Sequence, residues 1–332
     1  MKDGRCTAED VARAAGVSTM TVSRAMSGRP GLGPETKERV LGAAARLGYR
    51  PSKVARALAS RRSSSLGIIL PDIANPFFSI LAKAAIDSAR LSSRSVFVMN
   101  TDENPARELA AIEELRSEQI DGIVVAGSRM SEARLREALS PFWAAVLVNR
   151  DLAGPRRGSV SIDDRGGASE EVAYLVARGR RRIGLLAGPR ASTSARRRLS
   201  GYRDGLARSG FAFVPDIIER CVPTIEGGAE ATRALIAREP RVDAIVAYND
   251  IAAIGSLRAL EELGVSVPAD VAVMGTDDIP YAALVRPSLT TVGADIPRLG
   301  ASAVSLLLAL GEGGSVEEPP PQSPRLVLRE SA

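Results

Sequence analysis

The chain has 332 residues, 45% of them hydrophobic and 25% charged, which suits two to three soluble globular domains with a large core. It has no histidine at all, which excludes histidine general bases, Ser-His-Asp triads and histidine metal ligands. The net charge of +5 hides an asymmetry: residues 1–62 hold 13 Lys/Arg against 5 Asp/Glu, a net of +8, and the other 270 hold 31 against 34, a net of −3.

No apolar run is long enough to span a membrane, and no apolar signal-peptide core follows Met1-Lys2-Asp3, so a cytoplasmic protein is expected. Cys6 and Cys221 are far apart in sequence and form no metal-ligand cluster; in a reducing compartment both are expected as free thiols. P-loop, GxGxxG and G-x-S-x-G motifs are missing, and no cofactor or metal is expected.

The first element is a short helix. Thr7 is its N-cap and Asp10 completes a capping box, Val11, Ala14 and Ala15 form an apolar face, and Gly16 ends it. Ser18 caps a second helix that buries Val22, Ala25 and Met26. Two short helices joined by a glycine-containing turn make a helix-turn-helix pattern, whose second helix enters a major groove by its N-terminal residues. Here those are Thr19, Met20, Thr21 and Ser23, with Arg24 behind them. The positive charge of this end suits a polyanion partner, although a solvated basic surface would look the same in composition. A third helix at about 35–47, with Pro34 at its first position, is expected to bury Val40, Leu41, Ala44 and Leu47.

After Tyr49-Arg50-Pro51-Ser52, residues 53–59 form a helix-prone segment of about two turns, short enough to be marginal in water. It could be a rigid linker, a disordered one, or a helix that forms on a partner. Leu58 among small alanines could pack on a neighbouring domain or wedge into a minor groove.

From residue 66 the texture changes. Apolar strand runs at 66–70, 95–100, 122–126 and 145–149 alternate with helices at 76–91, 105–118 and 131–139. A second set follows: helices at 165–178, 195–209, 228–238 and 251–263, with strands at 183–187, 244–248 and 271–275. Alternation of continuous apolar strands with helices predicts two doubly wound parallel sheets. Ligands of such sheets sit beyond the carboxyl ends of the strands, which points to Asp72, Asn149, Asn249 and Asp277 as cleft residues. A last apolar helix at 295–311 and a short strand at 325–329 could cross back between the two sheets and make a hinged pair.

Read in order, DVARAAGVSTMTVSRAMSG (10–28), ETKERVLGAAARLGYRP (35–51), ARAL (55–58), GIILPDIANPFF (67–78), AGPRASTSARRRLSGYRDGL (187–206), YND (248–250), VAVMGTDDIP (271–280) and PSLTTV (287–292) resemble the LacI/GalR family of bacterial transcription regulators along nearly the whole chain. The resemblance implies an all-α helix-turn-helix headpiece (1–49), a hinge (50–62) and an α/β periplasmic-binding-protein-like body (63–332). That body has one subdomain at about 63–163 plus 293–322 and another at about 164–292 plus 323–332. It further implies a ligand-controlled repressor, dimeric or tetrameric, on pseudo-palindromic double-stranded operator DNA, with a sugar or sugar derivative as effector and no membrane partner. The DNA-contacting positions it implies are Ser18, Thr19, Met20, Thr21, Ser23, Arg24, Ser27, Thr36, Tyr49, Ala55 and Leu58, with Thr19 and Met20 setting base preference and Leu58 at the intercalating position. The effector positions are Asp72, Phe77, Asn149, Ser194, Arg198, Asn249 and Asp277. By residue type alone, Arg198 and Asp277 could equally be a cleft salt bridge, and Phe77 could be core.

The chain departs from the family pattern at several places. Val222-Pro223-Thr224-Ile225 lacks a common aromatic, Thr276 replaces an aromatic before Asp277-Asp278, Arg180 stands for a frequent His, and Asn149 stands for a frequent Asp. Two other classes compete: a solute-binding protein, which the body alone would suit, and an α/β enzyme using Asp277 and Asp278.

Overall fold

The computed structural model describes residues 6–26, 31–49, 63–313 and 316–332. It divides into two compact units, Met1–Ser64 and Ser65–Ala332.

The first unit holds α1 (Ala8–Ala15), α2 (Thr19–Met26) and α3 (Pro34–Arg46). Thr7 caps α1 reciprocally: its hydroxyl accepts from the Asp10 amide at 3.3 Å, and Asp10 accepts from the Thr7 amide at 2.9 Å. Gly16 turns the chain at φ +63°, a left-handed angle that costs glycine little, and Pro34 opens α3. Arg39 donates Nε to the Ala15 carbonyl at 3.0 Å, satisfying an orphan acceptor at the end of α1. The core is Val11, Ala12, Ala15, Val22, Ala25, Val40, Ala43 and Ala44. Three residues expected inside are outside: Ala14 is exposed, and Leu41 and Leu47 are 40% and 41% exposed. Leu41 lies one residue, about 100° of helix rotation, off the Val40–Ala43–Ala44 stripe, and Leu47 has passed the end of α3. Ala12 and Ala43 take the inner positions instead. Met26 is half-buried.

The second unit holds two sheets. The first is ordered β2-β1-β3-β4-β5 and all parallel: β1 (Ser65–Leu70), β2 (Ser95–Asn100), β3 (Gly122–Ala126), β4 (Ala144–Val148) and β5 (Arg157–Val160). Helices α4 (Pro76–Leu91), α5 (Pro105–Ser117) and α6 (Glu132–Leu139) connect its strands. The second sheet is ordered β11-β10-β9-β8-β6-β7, from β6 (Ile183–Ala187), β7 (Ile218–Arg220), β8 (Ala244–Ala247), β9 (Ala272–Asp277), β10 (Thr290–Gly293) and β11 (Arg325–Val327). Only β10 and β11 pair antiparallel. Its helices are α7 (Asp164–Ala177), α8 (Thr193–Arg208), α9 (Ile225–Arg238) and α10 (Asp250–Glu262). Strands β3, β4, β6 and β8 are wholly buried, as continuous apolar runs require, whereas edge strand β2 is partly exposed.

The last helix, α11 (Ile296–Glu312), follows the second sheet but packs on the first, with Leu299, Ala303, Leu306, Leu307 and Leu310 in that lobe's core. The chain thus passes between the lobes three times: after β5, after β10, and along 316–324. The first and last of these crossings are zipped together, because Gln322 donates to Ser161 O at 2.8 Å and accepts from the Asp163 amide at 2.9 Å. Strands β5, β7 and β10 were not expected from the sequence. Each has three or four residues, too short for a periodic signal, and β5 is buried by its neighbour α11: a Cβ on Gly158 would come within 2.9 Å of Leu306.

Both cysteines are free thiols, and burial pushes the Cys221 thiol up to about 12. Among the described residues, no helix is long and apolar enough to cross a membrane, and no group of acids and cysteines could hold a metal ion.

Candidate DNA-reading surface and interlobe cleft

On the first unit, the start of α2 is open to solvent. Ser18 caps it, accepting from the Thr21 amide at 3.2 Å and sharing a 3.0 Å hydrogen bond with the Thr21 hydroxyl. Thr19, Met20, Ser23 and Arg24 are exposed, and Met20 is 72% accessible, a large apolar side chain with no core role. Thr36 sits half-buried in the first turn of α3, and Tyr49 packs half-buried against the three-helix core. Ser27, Ala55 and Leu58, with the whole 50–62 segment, lie outside the described residues.

On the second unit, a cleft of about 570 Å³, counting its open mouth, lies where the carboxyl ends of both sheets meet. The first lobe lines it with Asn75, Phe77 and Phe78 after β1, Glu103 after β2, Gly127, Ser128 and Arg129 after β3, and Asn149 and Arg150 after β4. The second lobe adds Ser192 and Ser194 after β6, Arg198 of α8, Tyr248 and Asn249 after β8, and Asp277 at the end of β9. Six of the seven expected effector residues are therefore together. Asp72 is not among the lining residues; its carboxylate turns back to accept from the Ala74 amide at 2.9 Å, and Asn75 stands in the cleft instead.

Arg198 organises the second lobe's wall. It donates Nε to Asp164 at 2.9 Å, Nη2 to Asp277 at 3.3 Å and Nη1 to the Tyr248 carbonyl, and it lies 5.2 Å from the Tyr248 ring centre. Burial alone would weaken its charge, but the Asp164 and Asp277 carboxylates outweigh burial and raise its pKa further. Glycine makes this seating possible: a Cβ on Gly201 would lie 2.0 Å from the Arg165 carbonyl, so α8 touches the backbone of α7, whose first residue is Asp164. Asp277 is pushed up to about 7 by burial, against the pull of Arg198. It has φ +118°, and Asn149 has φ +58°. Glu103, after β2, has φ +57°, so three cleft-lining side chains at or beyond strand ends sit at backbone angles that disfavour L-residues.

The Asn149 Oδ1 accepts from the Ile162 amide at 2.9 Å, which leaves its amide group as the end available to the cleft. The Asn249 Oδ1 caps α10 through the Ala252 amide at 2.9 Å. Phe77 is buried with its ring edge-on to Phe78, centroids 5.1 Å apart, so it lines the cleft and fills the core at once. Asp278 points away, taking Arg329 Nη2 at 2.6 Å, so the adjacent carboxylates Asp277 and Asp278 do not share the cleft. The cleft residues not anticipated from sequence include Asn75, Phe78, Glu103, Ser128, Arg129, Arg150, Ser192 and Tyr248. The strand-end rule, applied to β3 and β6 as well, would have pointed at 128–129 and 192.

A helix-turn-helix unit joined to a two-lobed body with a polar interlobe cleft is the build of a ligand-responsive transcription regulator. Residues 7–52 match the family model "Bacterial regulatory proteins, lacI family", and residues 172–332 match "Periplasmic binding protein-like domain". The chain is 34% identical over 326 residues to the HTH-type transcriptional regulator GalR of Escherichia coli (strain K12), covering 98% of this chain and 95% of that one. Its fold matches the lac repressor dimer bound to operator and the anti-inducer ONPF with a TM-score of 0.87 at 30% identity, over 98% of this chain and 99% of that one. It also matches the transcriptional regulator CelR–cellobiose complex with a TM-score of 0.74 at 27% identity, over 99% of this chain and 100% of that one. The chain belongs to the lacI family of bacterial regulatory proteins.

Proposed function

We propose that this chain is a homodimeric repressor that holds pseudo-palindromic operator DNA until a small, sugar-class effector changes the geometry of its cleft. The observation that carries this reading is the cleft itself: Asn149 and Phe77 from one lobe face Arg198 and Asp277 from the other, across lobes that are linked by three chain crossings and bridged by an Arg197–Asp151 ion pair of 2.7 Å. A ligand that bridges such lobes binds one opening angle better than others, and that differential affinity is what shifts a two-state equilibrium. A relative bound to operator and anti-inducer, and another bound to cellobiose, support operator and sugar as the two ligand classes.

In this reading Thr19 and Met20 choose the bases, Ser18, Thr21, Ser23, Arg24, Ser27, Thr36 and Tyr49 hold or support the phosphate backbone, and Ala55 and Leu58 contribute through the hinge. Phe77, Asn149, Ser194, Arg198, Asn249 and Asp277 hold the effector. Fluorescence anisotropy with DNA from the chain's own promoter region tests both halves. Tight, sequence-dependent binding that a sugar derivative changes at least several-fold is expected. Weak binding that is indifferent to sequence and to every ligand refutes the proposal.

A further inference from the structure

Three arginines line the cleft, and two of them are fully engaged. Arg198 uses Nε, Nη1 and Nη2 on Asp164, the Tyr248 carbonyl and Asp277. Arg129 uses Nε and Nη2 on the Glu103 carboxylate and Nη1 on the Gly127 carbonyl. Arg150 differs. It donates through Nη1 alone, to the Ser128 carbonyl at 3.1 Å, the Ser128 hydroxyl at 3.2 Å and the Met130 carbonyl at 2.7 Å. These three contacts pin the guanidinium against the loop after β3 without neutralising it.

Its Nε and Nη2 meet no acceptor among the described residues, and neither is a sealed, orphaned atom, so that edge of the guanidinium stays open. Among the described residues no carboxylate reaches it within ion-pair distance, although the residue is only 8% exposed. Burial is the largest influence on its charge and weakens it; Glu108 and Glu132 act on it from farther off, and Glu108 already accepts from the Arg129 amide at 2.9 Å. Arg196 and Arg129 add positive potential at the same place. A buried guanidinium without an anionic partner is costly, and protein interiors pair such groups. The open Nε–Nη2 edge is also the edge that takes a carboxylate or phosphate by two parallel hydrogen bonds.

We propose that the effector is an anionic sugar derivative, whose carboxylate or phosphate docks on the open edge of Arg150 while its hydroxyls meet Asp277 and the Asn149 amide. This inference rests on the effector-controlled reading above. A neutral sugar would enter the same cleft and leave Arg150 uncompensated.

Calorimetric titration of the full-length chain with matched pairs tests it: galactose against galacturonate, glucose against glucuronate, glucose against glucose 6-phosphate, and inorganic phosphate alone. The charged member of at least one pair should bind about ten-fold tighter or more than its neutral partner, in keeping with charge-assisted hydrogen bonds, and added salt should weaken it and leave the neutral sugar unmoved. The uronate and phosphate arms separate the two sources of the anion. Arg150→Met should weaken the charged ligand about 30-fold or more, and Arg150→Lys should restore only part, since a point charge replaces the fork. Neutral sugars binding as tightly as charged ones, or Arg150→Met binding the charged ligand as tightly as the unaltered chain, overturns the anionic class while leaving effector control standing. If Arg150→Met does not fold, the salt titration of the unaltered chain decides, and a charged ligand whose affinity ignores salt overturns the proposal. Should no compound bind while promoter DNA is still held, the effector reading falls together with this one.

Discussion

Replacing Arg198 with Met asks whether one guanidinium holds the second lobe's wall. The side chain is buried and bridges Asp164 at 2.9 Å and Asp277 at 3.3 Å. Methionine keeps much of the stem and removes the charge, leaving two buried carboxylates that repel each other. Breaking a buried pair by deleting one partner costs about 3–5 kcal/mol. The cost should depend on pH, with a sign that follows from Asp277. Burial has raised it from 3.8 to about 7, and Arg198 is the group that lowers it. Without Arg198 it rises further. A group whose folded pKa lies above its unfolded value contributes stability that is present below the unfolded value and is lost as pH rises through the folded one. The deficit should therefore be smaller at about pH 5 than at about pH 8. Adding Asp277→Asn removes one unpaired charge, so the double variant should recover part of the loss, with a coupling of about 0.5–3 kcal/mol. Thermal melting of the four proteins by circular dichroism at both pH values measures this through the body's transition, because a two-unit chain does not unfold with one free energy. An Arg198→Met melt unchanged at the higher pH, or a double variant equal to the sum of its singles, refutes the reasoning.

Other expectations follow from single contacts. Gly201→Ala puts a Cβ about where the Arg165 carbonyl stands, so it should lower the body's melting temperature by the equivalent of about 1–3 kcal/mol and weaken effector binding by tilting α8; an unaltered melt would show that α7 and α8 can part freely. Thr7→Ala removes the reciprocal cap of α1 and should cost the headpiece about 0.5–2 kcal/mol, read as a lower headpiece melt that Thr7→Ser restores. Met20→Ala should relax base preference at one position per half-site by about 1–3 kcal/mol, scored on randomised operators; a change in the salt dependence of binding instead would mean that Met20 acts through the backbone. Glu171, raised from 4.5 to about 8 by burial, contributes stability that is full below about 4.5 and lost as pH climbs through about 8. Glu171→Gln should flatten melting temperature against pH across that window, and an unchanged slope there would rule Glu171 out as the source.

The architecture was legible where the physics is local. Parallel strands buried on both faces have to be apolar throughout, so 183–187 and 122–126 declared themselves, and the Thr7–Asp10 and Gly16 signals marked the ends of α1 because capping is a matter of neighbours in sequence. It was illegible where burial is decided by a partner. Arg157–Val160 reads as a polar loop until α11, more than a hundred residues later, lays Leu306 and Leu310 against it. The headpiece core misled in the opposite direction: Leu41 is more hydrophobic than Ala43, but it is Ala43 that lies on the inward side of α3.

The cleft shows the same divide, and there it bears on function. Arg198, Asp277, Asn149 and Asn249 could be named because they stand at strand ends or in motifs whose order along the chain is distinctive. Arg150 stands beside Asn149 in the sequence and still carried no signal, because its significance is not its type but its unmet hydrogen bonds. Arg129 is the same residue type at the end of the neighbouring strand, and the Glu103 carboxylate pairs with it through two hydrogen bonds while the Gly127 carbonyl takes a third. What separates a structural arginine from a ligand-seeking one is the presence of a carboxylate some tens of residues away, 26 for Arg129 and Glu103. Residue type can therefore suggest that a cleft is basic, but only the pairing of each charge indicates which one a ligand has to complete. On that criterion Arg150, and not the more familiar Arg198, is the residue whose replacement should change which effector this regulator answers to.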